Sequence, residues 1–262
     1  MNIAVCLKQT LDPEIPLKDF KIDPDTKKAV QGNAKLVLDS FAENALEVAI
    51  QLKEQYGAKV TVITVGADST VDVLRRGMAL TADEAIRVWD ESYEDLDSAA
   101  LASVLGEALK NAGDFDLILT GRQAADVERG STGPMLGEYL GRPAVTFVTK
   151  VNAVEDGSVT VEREIEGAVE VVQSKLPAVL SVTSHESNIP RLPKVRDTMK
   201  ASRKPIGDVG ADALPGASIE AGIDTTDVFV PVMESNCEYI EGDDGAEKAV
   251  NLAAKLRALK LI

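Results

Sequence analysis

The 262-residue chain is short of the side chains from which most active sites are built. It has one histidine, His185, and two cysteines, Cys6 and Cys237. A catalytic triad or a histidine metal cage therefore has almost no raw material. Neither cysteine stands in a C-x-x-C pair or a Cys/His cluster, so no metal site is expected, and Cys6, inside an apolar run, reads as buried packing. No apolar run reaches the ~18 residues that a membrane span needs. The N-terminus, MNIAVCLKQT, has neither a basic n-region nor a small-residue cleavage site and reads as a core strand rather than a signal peptide. Both the lysine-bearing phosphate loop and G-x-G-x-x-G are missing. Carboxylates are plentiful, but no pair stands out as acid and base. Together these absences point to a binder or carrier rather than a catalyst with its own side-chain chemistry.

What is present is an acidic, core-forming chain. The formal charge is −15, which repels nucleic acid and anionic lipid, so no nucleic-acid partner is expected, and the lack of a long apolar run leaves no membrane span expected either. The expected location is cytoplasmic, or an organelle matrix in a processed eukaryotic form. Hydrophobic residues make up 45%, enough for one large α/β domain or one domain with an appendage.

To about residue 150, strand and helix patterns alternate. Strands are expected at 3–7, 59–65, 85–89, 116–120 and 144–148, each an apolar or β-branched run. Helices are expected from residue 40 to Gly57, at 70–79, 96–112 and 132–140, with apolar residues at helical spacing. Ser40 with Glu43 reads as a capping box for the first helix. Residues 10–38 read as irregular. Strands separated by helices of this length imply a Rossmann-like parallel sheet with helices on both faces. Ligands bind beyond the carboxyl ends of such strands, so the loops after Leu7, Val65 and Thr120 are where one is sought.

After residue 150 the pattern changes. Three β-like stretches lie within 158–184, separated by turns at Glu166-Gly167 and near Pro177, and hairpin connections are expected between them. Residues 188–206 are basic and carry several prolines. Residues 207–224 are rich in Gly, Ala and Asp and read as a mobile linker. A last helix is expected over 245–262. The organisation expected is a nucleotide-binding domain with its β-hairpin extension over 1–190, a recognition loop over 191–206, and a linker with a C-terminal arm over 207–262.

The segment Gly121–Pro134, GRQAADVERGSTGP, follows a strand and precedes a helix. Gly130, Ser131, Thr132 and Gly133 place small residues where backbone N–H groups could meet a ligand, Pro134 suits the first helical position, and Arg122 could add a charge contact. The plainer reading, that these residues only cap a helix, stands equally open. So do plain readings of Lys8 as a solvated strand end and of Ser40 as a cap.

Residues 161–206 carry the ordered pattern V-x-R-x-x-x-G, L-P-A-V, N-x-P-R, M-x-A and a basic cluster before P-I: Val161, Arg163, Gly167, Leu176 to Val179, Asn188, Pro190, Arg191, Met199, Ala201 and Lys204 to Ile206. With the GRQAAD segment, this resembles the beta subunits of electron-transfer flavoproteins, over almost the whole chain. The resemblance implies a heterodimer with an electron-transfer flavoprotein alpha subunit. FAD would lie at the alpha/beta interface near Arg163, and either AMP or a second FAD would lie in this subunit. It implies cofactor-binding positions at Cys6, at Asp39, Ser40, Phe41 and Ala42, and at Val65, to which Lys8 and Gly66 are added as residues at the expected strand-end ligand edge. The implied positions continue through Gly121, Arg122, Gln123, Ala124, Ala125, Asp126, Val127, Glu128, Arg129, Gly130, Ser131 and Thr132. Docking to an acyl-CoA or other dehydrogenase would use Arg191, Lys194, Val195, Arg196 and Met199, with Val195 where the family's anchor is typically leucine.

The chain departs from the pattern in two places. Asp39-Ser40-Phe41-Ala42 stands where many members have N-P-F/Y-D, and Val127-Glu128-Arg129 where a G-D or D-D pair is common. Asp83-Glu84-Ala85, Asp90, the stretch 97–102 and Val195-Arg196 look like the FAD-binding members, which favours a second FAD and with it NADH-dependent electron bifurcation. AMP would make the protein a one-flavin carrier. The alternative from another class is a regulatory module of universal-stress type, which also binds an adenine nucleotide on a parallel sheet but has no use for residues 161–206.

Overall fold

The computed structural model describes residues 1–231 and 237–262. The chain divides into two units, one of Met1–Phe20 with Ala29–Thr226, the other of Lys21–Lys28 with Asp227–Ile262.

The first unit begins with β1 (Asn2–Cys6), then β2 (Gln9–Leu11) and β3 (Leu36–Leu38), which pair antiparallel as a separate ribbon inside the stretch expected to be irregular. α1 (Ser40–Tyr56) follows, then β4 (Lys59–Val65), α2 (Val71–Ala79), β5 (Glu84–Val88), α3 (Ser98–Ala112), β6 (Leu117–Gly121) and α4 (Thr132–Leu140). Next come β7 (Ala144–Glu155), β8 (Ser158–Ile165), β9 (Ala168–Lys175), β10 (Ala178–Val182), α5 (Val195–Ala201) and β11 (Gly207–Val209). The second unit contains α6 (Gly245–Ala258).

One nine-stranded sheet carries the first unit, in the order β11-β5-β4-β1-β6-β10-β7-β8-β9. All neighbours from β11 to β7 run parallel, and β7, β8 and β9 form antiparallel hairpins. The chain is thus α/β, with a Rossmann-like sheet and a β extension. The chain winds outward from β1 to β4 and β5, then crosses back to place β6 on the other side of β1. That reversal makes a crevice at the carboxyl ends of β1, β4 and β6, where doubly wound sheets bind ligands. Both faces of the parallel part of the sheet are covered. One apolar core lies on the side that includes Leu46, Ile50, Leu74 and Val62, the other on the side of Ile63, Val104, Ile118 and Leu136.

Several expectations are corrected. α1 is capped by Asp39, not Ser40: Asp39 Oδ1 accepts from Phe41 N and Ala42 N, and Ser40 is exposed. Gly57 ends that helix at φ 67°, as a left-handed cap requires. Pro134 sits at the third helical position of α4 rather than the first, still within the turn whose N–H groups have no helical acceptor. β10 is not a hairpin partner of β9. It inserts between β6 and β7, parallel to both, and all five of its residues are buried, as expected of a strand covered on two faces.

Residues 207–224, expected as a linker, instead contain β11, paired with β5, and a strap along α3. Leu214 is buried, Asn111 Nδ2 donates to Ala213 O at 2.6 Å, Ser218 N donates to Ser103 Oγ at 2.8 Å, and Gly222 N donates to Asp97 Oδ2 at 2.7 Å. The arm expected over 207–262 includes residues 232–236, which lie outside the described residues. No helix among the described residues is long and apolar enough to cross a membrane.

Candidate functional site: a cavity at the strand switch point

A cavity of about 200 Å³ opens at the crevice. The end of β1 supplies Cys6, Leu7 and Lys8; β4 supplies Val65; β6 supplies Thr120 and Gly121. The start of α1 brings Asp39 and Ala42, and the start of α3 brings Asp97, Ser98, Leu101 and Leu105, with Leu96 just before it. The loop between β6 and α4 closes it with Arg122, Gln123, Ala124, Val127, Arg129 and Gly130, leading to Ser131, Thr132 and Gly133.

Local chemistry holds these loops together. Asp39 spends one oxygen on its own helix, at 3.0 and 3.2 Å from Phe41 N and Ala42 N. Its other oxygen accepts from Ala125 N at 2.7 Å, so one carboxylate ties the start of α1 to the long loop. Lys8 Nζ meets Asp126 Oδ1 at 2.7 Å and fastens the same loop to the end of β1. Gly121 allows the approach: a Cβ there would lie 2.9 Å from the Ala42 nitrogen. The Arg122 guanidinium is held over the rings of Phe41 and Phe147, 5.5 and 5.0 Å from their centroids, and donates to Gln123 Oε1. Phe147 takes a left-handed φ of 59°, rare for a bulky residue, at the irregular register between β7 and β10.

The cavity has an apolar side and a polar one. Val65, Leu96, Leu101 and Leu105 offer hydrocarbon. The first turn of α4 offers the backbone N–H groups of Thr132 and Gly133, since among the described residues the Ser131 side chain makes no capping bond. Beside it the Thr120 hydroxyl is buried and has no hydrogen-bond partner among the described residues. A Cβ on Gly133 would stand 2.6 Å from that oxygen, so glycine is what lets the helix start come this close to the strand. Lys8, Arg122 and Arg129 bring positive charge to the lining of a chain whose net charge is −15. Both lining carboxylates, Asp39 and Asp97, are engaged by backbone N–H groups. These features suit a ligand with an anionic end and a flat apolar end. Burial pushes the Cys6 thiol up to about 12, which favours its neutral form.

Of the expected site residues, Cys6, Lys8, Asp39, Ala42, Val65, Gly121 to Ala124, Val127 and Arg129 to Thr132 line the cavity. The others do not. Ser40 and Glu128 are exposed, Phe41 stacks on Arg122, Gly66 packs on Thr70, and Ala125 and Asp126 serve as tethers. Arg163 lies on β8, with its Nε 2.7 Å from Glu170 Oε2 of β9. Leu7, Leu96, Leu105 and Thr120 were not named as site residues, whereas Gly133 belongs to the small-residue run singled out at the start of α4. Leu105 carries only the signal of a core stripe, whereas Thr120 could have been found as the last side chain before a strand-end loop.

The basic segment is also placed. Lys194, Val195, Arg196 and Met199 are exposed on or beside α5. Arg191 is turned the other way, toward α1, where its guanidinium meets Glu47 and Glu54. Among the described residues, no group of three or more His, Cys, Asp or Glu could hold a metal ion.

Comparison with known proteins follows the same lines. Residues 28–214 match the Electron transfer flavoprotein domain family. The Electron transfer flavoprotein subunit beta of Megasphaera elsdenii is 32% identical over 276 residues, covering 100% of both chains. That of Bacillus subtilis is 32% identical over 262 residues, covering 98% of each. The Caffeyl-CoA reductase-Etf complex subunit CarD of Acetobacterium woodii is 32% identical over 269 residues, again covering 100% of both. A family match across most of the chain and full-length relatives agree: the chain belongs to the electron-transfer flavoprotein family, among its beta subunits.

Proposed function

We propose that this chain is the beta subunit of a heterodimer with an electron-transfer flavoprotein alpha subunit, and that its cavity holds the adenylate part of a nucleotide. The observation that carries the reading is the buried Thr120 hydroxyl, without a hydrogen-bond partner among the described residues, beside the open first turn of α4. A phosphate there would take the free N–H groups and the helix dipole. Val65, Leu96, Leu101 and Leu105 would cover the flat face of the base. At about 200 Å³ the cavity is smaller than the roughly 300–1,000 Å³ that buries a drug-sized ligand. It would therefore enclose one moiety and leave the rest of a dinucleotide beyond its mouth.

The nucleotide proposed is a second FAD, with AMP as the other occupant. The main FAD would lie at the alpha/beta interface, facing Arg163. Bound flavin supplies the electron chemistry; the chain's own residues hold it, orient it and keep water away. α5, with Lys194, Val195, Arg196 and Met199, is the proposed docking surface for an acyl-CoA or other dehydrogenase. Support for such an assembly comes from the Acetobacterium woodii relative, whose name places it in a caffeyl-CoA reductase-Etf complex.

Nucleotide released from the denatured heterodimer and quantified by chromatography tests this. Two FAD per heterodimer support the FAD form and make bifurcation open to assay. One FAD and one AMP make a one-flavin carrier. A heterodimer without flavin overturns the proposal.

A further inference from the structure

The segment that carries α5 leaves the sheet through a set of buried polar anchors. Asn188 is fully buried, its Nδ2 donating to Thr149 O and Thr183 O at 2.9 Å each, while Asn44 Nδ2 donates to its Oδ1 and to its carbonyl. Three residues later Arg191 makes a two-carboxylate clamp. Its Nε and Nη2 donate to Glu47 Oε2 and Oε1, both at 2.8 Å, and its Nη1 and Nη2 to the two oxygens of Glu54 at 2.5 and 3.1 Å. Glu47 is only 6% exposed, so this end of the clamp is shielded from water. The fork geometry matches a carboxylate in a way a lysine cannot. The two carboxylates, Glu47 first, hold Arg191 firmly protonated, and Arg191 in turn holds the Glu54 carboxyl below its usual range.

The far end is fixed as well. Arg75 Nη1, from α2, donates to Ala201 O at 2.6 Å and Lys204 O at 2.5 Å, and Lys204 Nζ donates to Ala82 O at 3.0 Å. Two of the segment's cations, Arg191 and Lys204, are thus used inside the protein. Between the two fixed ends, Leu192, Val195 and Met199 stand 83, 78 and 59% exposed.

We infer that Arg191 is a positioning residue: it does not touch the dehydrogenase but holds the 192–200 span in its docking shape, so that binding does not have to order it. This rests on the reading of α5 as the docking surface. Preorganisation raises affinity by removing the ordering cost of association. Loss of the clamp therefore weakens docking and leaves the nucleotide site, which none of the clamp's side chains line, as it was.

The test uses the intact heterodimer with the organism's own acyl-CoA dehydrogenase as the varied substrate. Arg191→Gln and the pair Glu47→Leu with Glu54→Leu break the clamp from opposite sides, and only the first removes a basic charge. In both variants KM for the dehydrogenase is expected to rise about tenfold, with kcat and nucleotide content unchanged and amide exchange faster across 192–200. A rise in Arg191→Gln alone would show direct contact and overturn the inference. So would an unchanged KM in both, or a joint fall in kcat and nucleotide content. Val195→Asp separates the two readings: if it raises KM while the clamp variants do not, only the positioning role fails, and if it too is silent, the docking surface lies elsewhere and both fail.

Discussion

A carboxylate has two oxygens, and Asp39 uses them on different parts of the chain. Oδ1 caps α1, and Oδ2 holds Ala125 of the cavity loop. Asparagine keeps the capping oxygen and caps a helix about as well as aspartate. Its amide nitrogen, however, cannot accept from Ala125 N. Asp39→Asn is therefore expected to leave the melting temperature nearly unchanged, within about 0.5 kcal/mol of stability beyond the lost loop tether. Affinity for the nucleotide is expected to fall about tenfold, the loss of one charge-assisted hydrogen bond. Titration of the nucleotide-depleted heterodimer with AMP and with FAD checks it; unchanged affinity would show that the loop is held without this tether. The sequence only half reveals this residue. Asp39 and Ser40 are adjacent and both are good caps, so composition could not choose between them. The second oxygen's partner lies 86 residues away in sequence, where no local pattern reaches.

The same division of labour recurs at α3, at the scale of an element. Asp97 Oδ1 caps the helix through Ala99 N and Ala100 N, and Oδ2 accepts from Gly222 N at the end of the strap. The composition of 207–224 suggested a mobile linker because its fastenings belong to other elements: Asn111, Ser103 and Asp97 of α3 and its cap, and Tyr139 of α4, whose hydroxyl meets Gly216 O. β10 was misplaced for a related reason. Its local pattern announces a strand, but only its two-sided burial, with no polar alternation, separates a central parallel strand from the half-exposed hairpin strands before it. Asp97 also sets a pH dependence. Backbone donors, Ala100 first, then Gly222, Ala99 and Ile223, hold its carboxyl below the usual range. A depressed carboxyl contributes stability above its unfolded value of about 4 and loses that contribution as pH falls through the lower folded value. Amide exchange at Gly222, corrected for intrinsic rate, should stay slow down to about pH 4 and quicken below it. In Asp97→Asn, which keeps the cap but cannot accept from Gly222 through its amide nitrogen, exchange there should be fast at every pH while α3 remains protected.

At the scale of the molecule, the alternation of strands and helices to residue 150 was enough to point to the strand ends where the cavity opens. A parallel sheet binds at its carboxyl edge, and β1, β4 and β6 were each read within a residue or two of their observed ends. What periodicity could not supply was the partner surface, because a face that is covered only in a complex looks like any exposed face. β9 shows this. It is the edge of the nine-stranded sheet, and Val169 and Val171 stand 62 and 66% exposed on one side of it, at strand spacing. An uncovered apolar edge invites unwanted pairing, and soluble proteins usually blunt it with charge or cover it. In a protein that belongs to a two-subunit family, cover by the alpha subunit is the economical answer. Val169→Lys with Val171→Lys replaces side chains that touch little in this chain, so the isolated subunit should keep its stability within about 1 kcal/mol. Burying two ammonium groups against a partner is costly, so the heterodimer should dissociate at least about tenfold more readily. Sedimentation of the mixed subunits reads the second quantity and thermal unfolding of the subunit alone the first. Tight heterodimers from the double variant would place the alpha subunit on another face, and the edge would then be left to the chain's net negative charge to protect.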